Sequence, residues 1–277
     1  MRLRNVIIAL CASSALIRPA VSAPQERIPN FSPSAGIAWQ SRSPTGLDPS
    51  RTGPQPVGPD PVIFKDHPYD MDTDFPVLDV TNPNLQPWVV DALRAQNDRV
   101  LSGKPLQPKT SSCWPHGLPA YMRYNGPTFI IQSPREVVII KNQSSDVRRV
   151  ALNRQHSSQP KPSWYGESVG HYENGDTLVV DTIGLNDRTS VDLFRTPHTT
   201  ALHVIERWKL SEDGRAIELS VHVEDPGAFK APYALTKHYT RMETAWLEAV
   251  CAENPIGPLG PAPQGLEPMP QADKPDF

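Results

Sequence analysis

From Thr128 to Arg241 apolar and polar residues alternate in short runs, and the runs are parted by turn residues. A period of two sends successive side chains to opposite faces of a strand. The pattern predicts strands over Thr128–Gln132, Glu136–Lys141, Val147–Leu152, Ser168–Glu173, Thr177–Thr182, Ala201–Leu210, Ala216–Glu224 and Tyr233–Arg241. Asn174-Gly175-Asp176 and Glu212-Asp213-Gly214 mark hairpins, because Asx-Gly pairs accept the positive φ that tight turns need. One segment has helical spacing instead. Behind Asn82-Pro83-Asn84, Pro87 leads into Trp88, Val89, Ala92, Leu93, Val100 and Leu101, and Gly103 and Pro105 stop the run. The expected fold is mainly β: an antiparallel, lipocalin-like barrel (or a sandwich) with one helix and a small cavity inside.

Composition adds the ends. Of 277 residues 32 are proline, about twice the usual share of roughly 5%. Nine prolines fall in residues 24–62 and seven in the last 27 residues. The expected organisation is a signal segment over residues 1–23, an extended Pro-rich lead-in over 24–62, one β-rich domain over 63–253 and a Pro-rich tail over 254–277. Arg2 and Arg4, the apolar run Val6–Ile17 and the small-residue site Val21-Ser22-Ala23 make up the secretory pattern. The apolar run is shorter than the roughly 20 residues a membrane span needs. Export to the periplasm or beyond, with cleavage near Ala23 and no transmembrane anchor, is the expectation. Cleavage leaves 24 basic against 30 acidic residues, without the basic clusters that nucleic acid or anionic lipid demands. Cys113 and Cys251 then remain, and in an exported protein they are expected to form a disulfide, with two buried free thiols as the alternative.

The strand around residue 206 carries the chemistry. Leu202, Val204, Glu206, Trp208 and Leu210 share one face, and His203, Ile205, Arg207 and Lys209 the other. A carboxylate among apolar neighbours is costly to ionise without a partner, and desolvation tunes it toward general acid or base work. Glu206 is therefore a candidate catalytic group facing the interior, with a structural ion pair to a buried arginine as the alternative. His198 and His203 bracket the start of that strand, His156 sits in a turn, and Asp225-Pro226 ends the next strand. Loops and strand ends at a barrel mouth are where polar groups converge on a ligand. Asp181 points away from Leu178 and Val180, and Trp164 and Tyr172 are candidates to line an apolar pocket. No nucleotide-binding or phosphate-cradling motif is present, so no such cofactor is expected. Two histidines and a carboxylate also suit zinc or iron, although their spacing is none of the strong metal signatures.

Gly166-Glu167-Ser168-Val169-Gly170 matches the nucleophile pattern of serine hydrolases, but a hairpin follows where that pattern needs a helix, so the glycines are read as serving close packing. A longer string is more specific. Gly166-x-Ser168-x-Gly170, Asp176-Thr177-Leu178-Val179-Val180-Asp181-Thr182-x-Gly184, Pro197-His198, Leu202-His203-Val204-x-Glu206-Arg207, Asp225-Pro226 and Cys251-x-Glu253-Asn254, with Cys113-x-Pro115 and His156, resembles a large group of secreted, mostly uncharacterised bacterial proteins. Tyr172 departs from that pattern, where tryptophan is expected. The resemblance implies a shared domain and marks His156, Asp181, His198, His203, Glu206, Arg207 and Asp225 as its polar set. It implies no reaction. The expected function is an exported enzyme doing lyase, isomerase or hydrolase chemistry on a small organic, aromatic or hydroxylated compound. Glu206 or a histidine would be the base, with Arg207 and a second histidine stabilising developing negative charge. The alternatives are a non-catalytic small-ligand binder and an adaptor whose Pro-rich ends dock partners.

Overall fold

The computed structural model describes residues 28–32, 36–42, 48–49, 52–57, 77–102, 114–123, 126–142, 146–192 and 195–247. The signal segment, both Cys113 and Cys251 with their expected bridge, and the Pro-rich tail lie outside the described residues.

Strand alternation translates directly into a closed barrel. The strands are β1 (Ile37–Ser41), β2 (Asp48–Pro49), β3 (Thr128–Gln132), β4 (Glu136–Lys141), β5 (Val147–Leu152), β6 (Glu167–Glu173), β7 (Thr177–Ile183), β8 (His203–Leu210), β9 (Ala216–Glu224) and β10 (Tyr233–Glu243). Nine of them close in the order β1-β3-β4-β5-β6-β7-β8-β9-β10 and back to β1, while β2 adds two residues on β10. Neighbours in an odd-membered ring cannot all run antiparallel. The one parallel seam is β5–β6, and it is short, holding only Ala151↔Val169 and Leu152↔Gly170. The barrel is otherwise antiparallel, as expected; at this seam residues 153–166 cross between two strands that run the same way.

Two local differences have plain causes. β1 lies in the Pro-rich stretch read as a lead-in, and it fills the gap between β10 and β3. β8 starts at His203 rather than Ala201, because Leu202 N–H turns back to the Thr199 carbonyl. In the β6–β7 hairpin both Asn174 (φ 55°) and Gly175 (φ 72°) adopt positive φ, as the Asx-Gly pair predicts. The helix α1 (Pro87–Leu101) buries Val89, Leu93 and Val100, while Leu101 stays exposed and Trp88 is held at the surface by its indole N–H donating to the Gly227 carbonyl at 2.7 Å. No helix among the described residues is long and apolar enough to cross a membrane.

Large side chains lie in the interior. Trp39, Trp208, Tyr121, Tyr239, Arg148, Lys141 and Lys237 are all fully buried. A 3-10 turn, Ala120–Arg123, reaches into this space: the Tyr121 hydroxyl donates to the Ile139 carbonyl at 3.0 Å, and Lys237 Nζ donates to the Met122 carbonyl at 2.5 Å. Elsewhere Phe31 is buried, its carbonyl accepting the Trp39 indole N–H at 2.9 Å.

Lys141 is the costly member of this interior. Its ammonium donates to Thr128 Oγ1 at 2.8 Å and lies 5.0 Å and 5.6 Å from the ring centres of Tyr121 and Tyr239. Burial first, and then the charge on Lys237, push it well below the ordinary lysine range. With the folded value depressed, the unfolded chain binds more protons between the folded and unfolded values, so this group makes stability rise with pH across that window. Lys141→Met is expected to stabilise the protein by about 1–3 kcal/mol after loss of the Thr128 hydrogen bond. The variant should also lose that part of the pH slope in urea melts. Equal stability and an unchanged slope would contradict this.

Candidate functional site

Glu206 faces inward on β8, as its parity requires, and is completely buried. It faces Arg148 and Trp208. Arg148 Nη1 donates to its Oε2 at 2.8 Å, Arg148 Nη2 approaches Oε1 at 2.6 Å, and the Trp208 indole N–H donates to Oε2 at 2.9 Å. The Nη2–Oε1 approach is an ion contact whose angles do not make it a hydrogen bond. Arg148 Nη2 also donates to Ser168 Oγ at 3.0 Å and Thr182 Oγ1 at 2.8 Å. The buried arginine named as the alternative for Glu206 is thus Arg148, which the sequence reading left unnamed. Its signal was there: Arg148 shares parity with Val150 and Leu152, both buried.

The opposite face of the same wall holds a different constellation. Asp181 on β7 points outward, and two imidazoles meet its Oδ1: His203 Nε2 at 2.9 Å and His156 Nε2 at 3.1 Å. The outer ring nitrogens meet two more carboxylates, His156 Nδ1 with Glu167 Oε1 at 3.0 Å and His203 Nδ1 with Glu224 Oε2 at 4.0 Å. The result is a continuous chain, Glu167–His156–Asp181–His203–Glu224, whose side chains are between 20% and 50% exposed. His156 arrives on the β5–β6 crossover, and Ser157 N–H anchors that loop by donating to Glu167 Oε1 at 2.6 Å. Donation from Ser157, with His156 adding to it, holds the Glu167 carboxyl below its ordinary range. Both contacts of His156 are satisfied together only when each ring nitrogen carries a proton. His203 differs: its Nε2–H donates to Asp181, and at 4.0 Å Glu224 is too distant for a hydrogen bond to Nδ1.

The remaining candidates lie elsewhere. His198 is buried, its Nδ1–H donating to the Thr199 carbonyl at 3.0 Å and its Nε2 accepting from Thr189 Oγ1 at 2.9 Å. Asp225 accepts from Thr199 N–H, Thr199 Oγ1 and Gly227 N–H at 2.6–3.0 Å, tying the β9–β10 turn to the start of β8. Arg207 is on the outer wall, paired with Glu173 at 2.5 Å, and with Lys209 and Glu218 it borders an open hollow of about 420 Å³. Tyr172 turns its hydroxyl to Gln132 Nε2 at 2.8 Å, and Trp164 packs edge-on against Trp114 with ring centres 5.2 Å apart. Ser168 of the hydrolase-like pattern is buried in the Arg148 network, and a Cβ on Gly166 would stand 2.4 Å from the Ile183 carbonyl oxygen, so that glycine serves close packing. A second His–carboxylate pair was not singled out from sequence: Asp146 accepts from His116 Nδ1 at 2.5 Å and from the Tyr165 hydroxyl. Burial, and then the Asp146 charge, push that hydroxyl up.

Among the described residues no three His, Cys, Asp or Glu side chains are arranged to hold a metal ion. No protein-family model matches the chain, and no curated protein matches it.

Proposed function

We propose that the protein is an exported enzyme that moves a proton on a small organic substrate at its outer wall, with His203 as the general base and acid. One observation carries this reading: His203 is oriented through Nε2 by Asp181 at 2.9 Å, while its other nitrogen faces partly exposed space with Glu224 at 4.0 Å. A carboxylate that fixes the tautomer and a second nitrogen without a hydrogen bond to it form the arrangement a histidine base needs. When Nδ1 takes a proton, Glu224 is placed to stabilise the imidazolium. His156 gives its two ring nitrogens to Glu167 and Asp181 and so holds Asp181 in place beside His203. Glu206, paired on both oxygens inside the barrel, is left a structural part. The chemistry is that of a lyase, isomerase or hydrolase.

The test is turnover of a panel of aryl esters, enolisable ketones and β-hydroxy carbonyl compounds by the full chain. His203→Gln is expected to lower kcat/KM about 10²–10⁴-fold while melting within about 2 °C of the parent. Turnover that survives His203→Gln within twofold, or no turnover of any panel member, would overturn the proposal.

A further inference from the structure

We infer that the buried Arg148–Glu206 pair is a positioning device for the outer-wall site, acting through the sheet from its opposite face. This role presupposes that the Glu167–His156–Asp181–His203–Glu224 chain is functional, as proposed above.

The case begins with the weakest seam of the barrel. β5 and β6 share only two ladder pairs, against seven for β6–β7 and six for β7–β8. Arg148 lies three residues outside the paired part of β5, where no backbone bonds to β6 hold the strands together. Its guanidinium takes over that task, bonding Ser168 of β6, Thr182 of β7 and Glu206 of β8 at 2.8–3.0 Å, with full burial. Four strands are therefore tied from within, Ser168 and Thr182 at one level and Glu206 two residues further along β8. Five N–H donors in a rigid fork suit arginine to this, and lysine could not reproduce it.

That level lies directly behind the outer-wall site. Ser168 and Thr182 are ladder partners, and Thr182 pairs in turn with Val204. The residues one step before these three are Glu167, Asp181 and His203, which alternation sends to the outer face. His156 belongs to the crossover that leaves β5, so its 3.1 Å contact with Asp181 spans the poorly laddered seam that Arg148 closes. The same crossover is anchored to β6 by Ser157 N–H on Glu167, so a shift of β5 against β6 and β7 reaches the wall through the contacts of His156 with Glu167 and Asp181. Glu206 thus acts on the site through Arg148, without touching a substrate.

The experiment uses the full chain and the ring nitrogen signals of its eight histidines in ¹H–¹⁵N NMR, with His156 and His203 assigned by their Gln variants. The double variant Arg148→Met/Glu206→Leu replaces the pair by apolar groups of similar length. It is expected to stay folded, to leave the His198 signals in place, and to move the His156 and His203 ring ¹⁵N signals as the two imidazoles lose their common carboxylate. Should the double variant not fold, Ser168→Ala/Thr182→Val removes the ties to β6 and β7 while sparing the ion pair, and a smaller shift of the His156 signals is expected. A folded variant of either kind with His156 and His203 signals superimposable on the parent's would overturn the inference. The readout needs no turnover, so loss of the enzymatic proposal through His203→Gln would leave this result standing, and the reverse.

Discussion

Glu206→Leu is expected to destabilise the protein by about 3–5 kcal/mol, read as a lower urea midpoint with an unchanged slope. The change removes both oxygens that face Arg148 and the acceptor of the Trp208 indole N–H. A guanidinium is then left without its counter-charge at a position with no exposed surface. Ser168 and Thr182 still accept from it, but hydroxyls do not neutralise a cation. Arg148→Met/Glu206→Leu should recover most of the loss, because an apolar pair needs no compensation. What it cannot recover is the Trp208 N–H, whose missing acceptor costs roughly 1–3 kcal/mol. The ordering parent, double variant, single variant is the result that matters. A single variant as stable as the double would mean that the buried charge is relieved by some other group, and the interior would then need a different account.

The fold was legible wherever information is local. Alternation alone gives eight strands and puts Glu206 indoors, and two Asx-Gly pairs give the hairpins. What alternation cannot give is pairing. β1 has the right composition for a strand only at Ile37-Ala38-Trp39, and its partners on β10 and β3 lie some ninety to two hundred residues away. The closure of the ring between β10 and β3 depends on that one short element. How the interior is filled is hidden for a related reason. Parity shows that Lys141, Arg148, Lys237 and Tyr239 point inward, but only closure shows that they all share one small space.

The site was half legible by the same logic. His203 and Glu206 are three residues apart, an odd separation, so a strand cannot present both to one pocket. The alternation that singled out Glu206 already separated it from the histidines. His156, Asp181 and His203 were each recognisable as polar groups in a structured context. Their meeting on the outer face follows from the β5–β6 crossover folding across β6 and β7, which no spacing along the chain encodes. Glu167 and Glu224 escaped notice because single exposed glutamates at strand ends are common, and their role comes only from the imidazoles beside them.

Asp181 is expected to act through His203, and the two should therefore fail to add. Asp181→Asn keeps the shape of the side chain but offers an amide to Nε2, which allows the ring to turn or to adopt the other tautomer. Its loss in kcat/KM should be smaller than that of His203→Gln, and the double variant should match His203→Gln within about a factor of two. Groups that operate as a unit behave this way, since removing the second adds nothing once the first is gone. His156→Gln tests the other arm of the chain. If His156 mainly supports Asp181, its loss should appear in kcat and disappear in the His203→Gln background; if it meets substrate by itself, the losses should multiply and KM should rise. Fully multiplicative losses for Asp181→Asn and His203→Gln would show two independent groups, and the orienting role of Asp181 would fall.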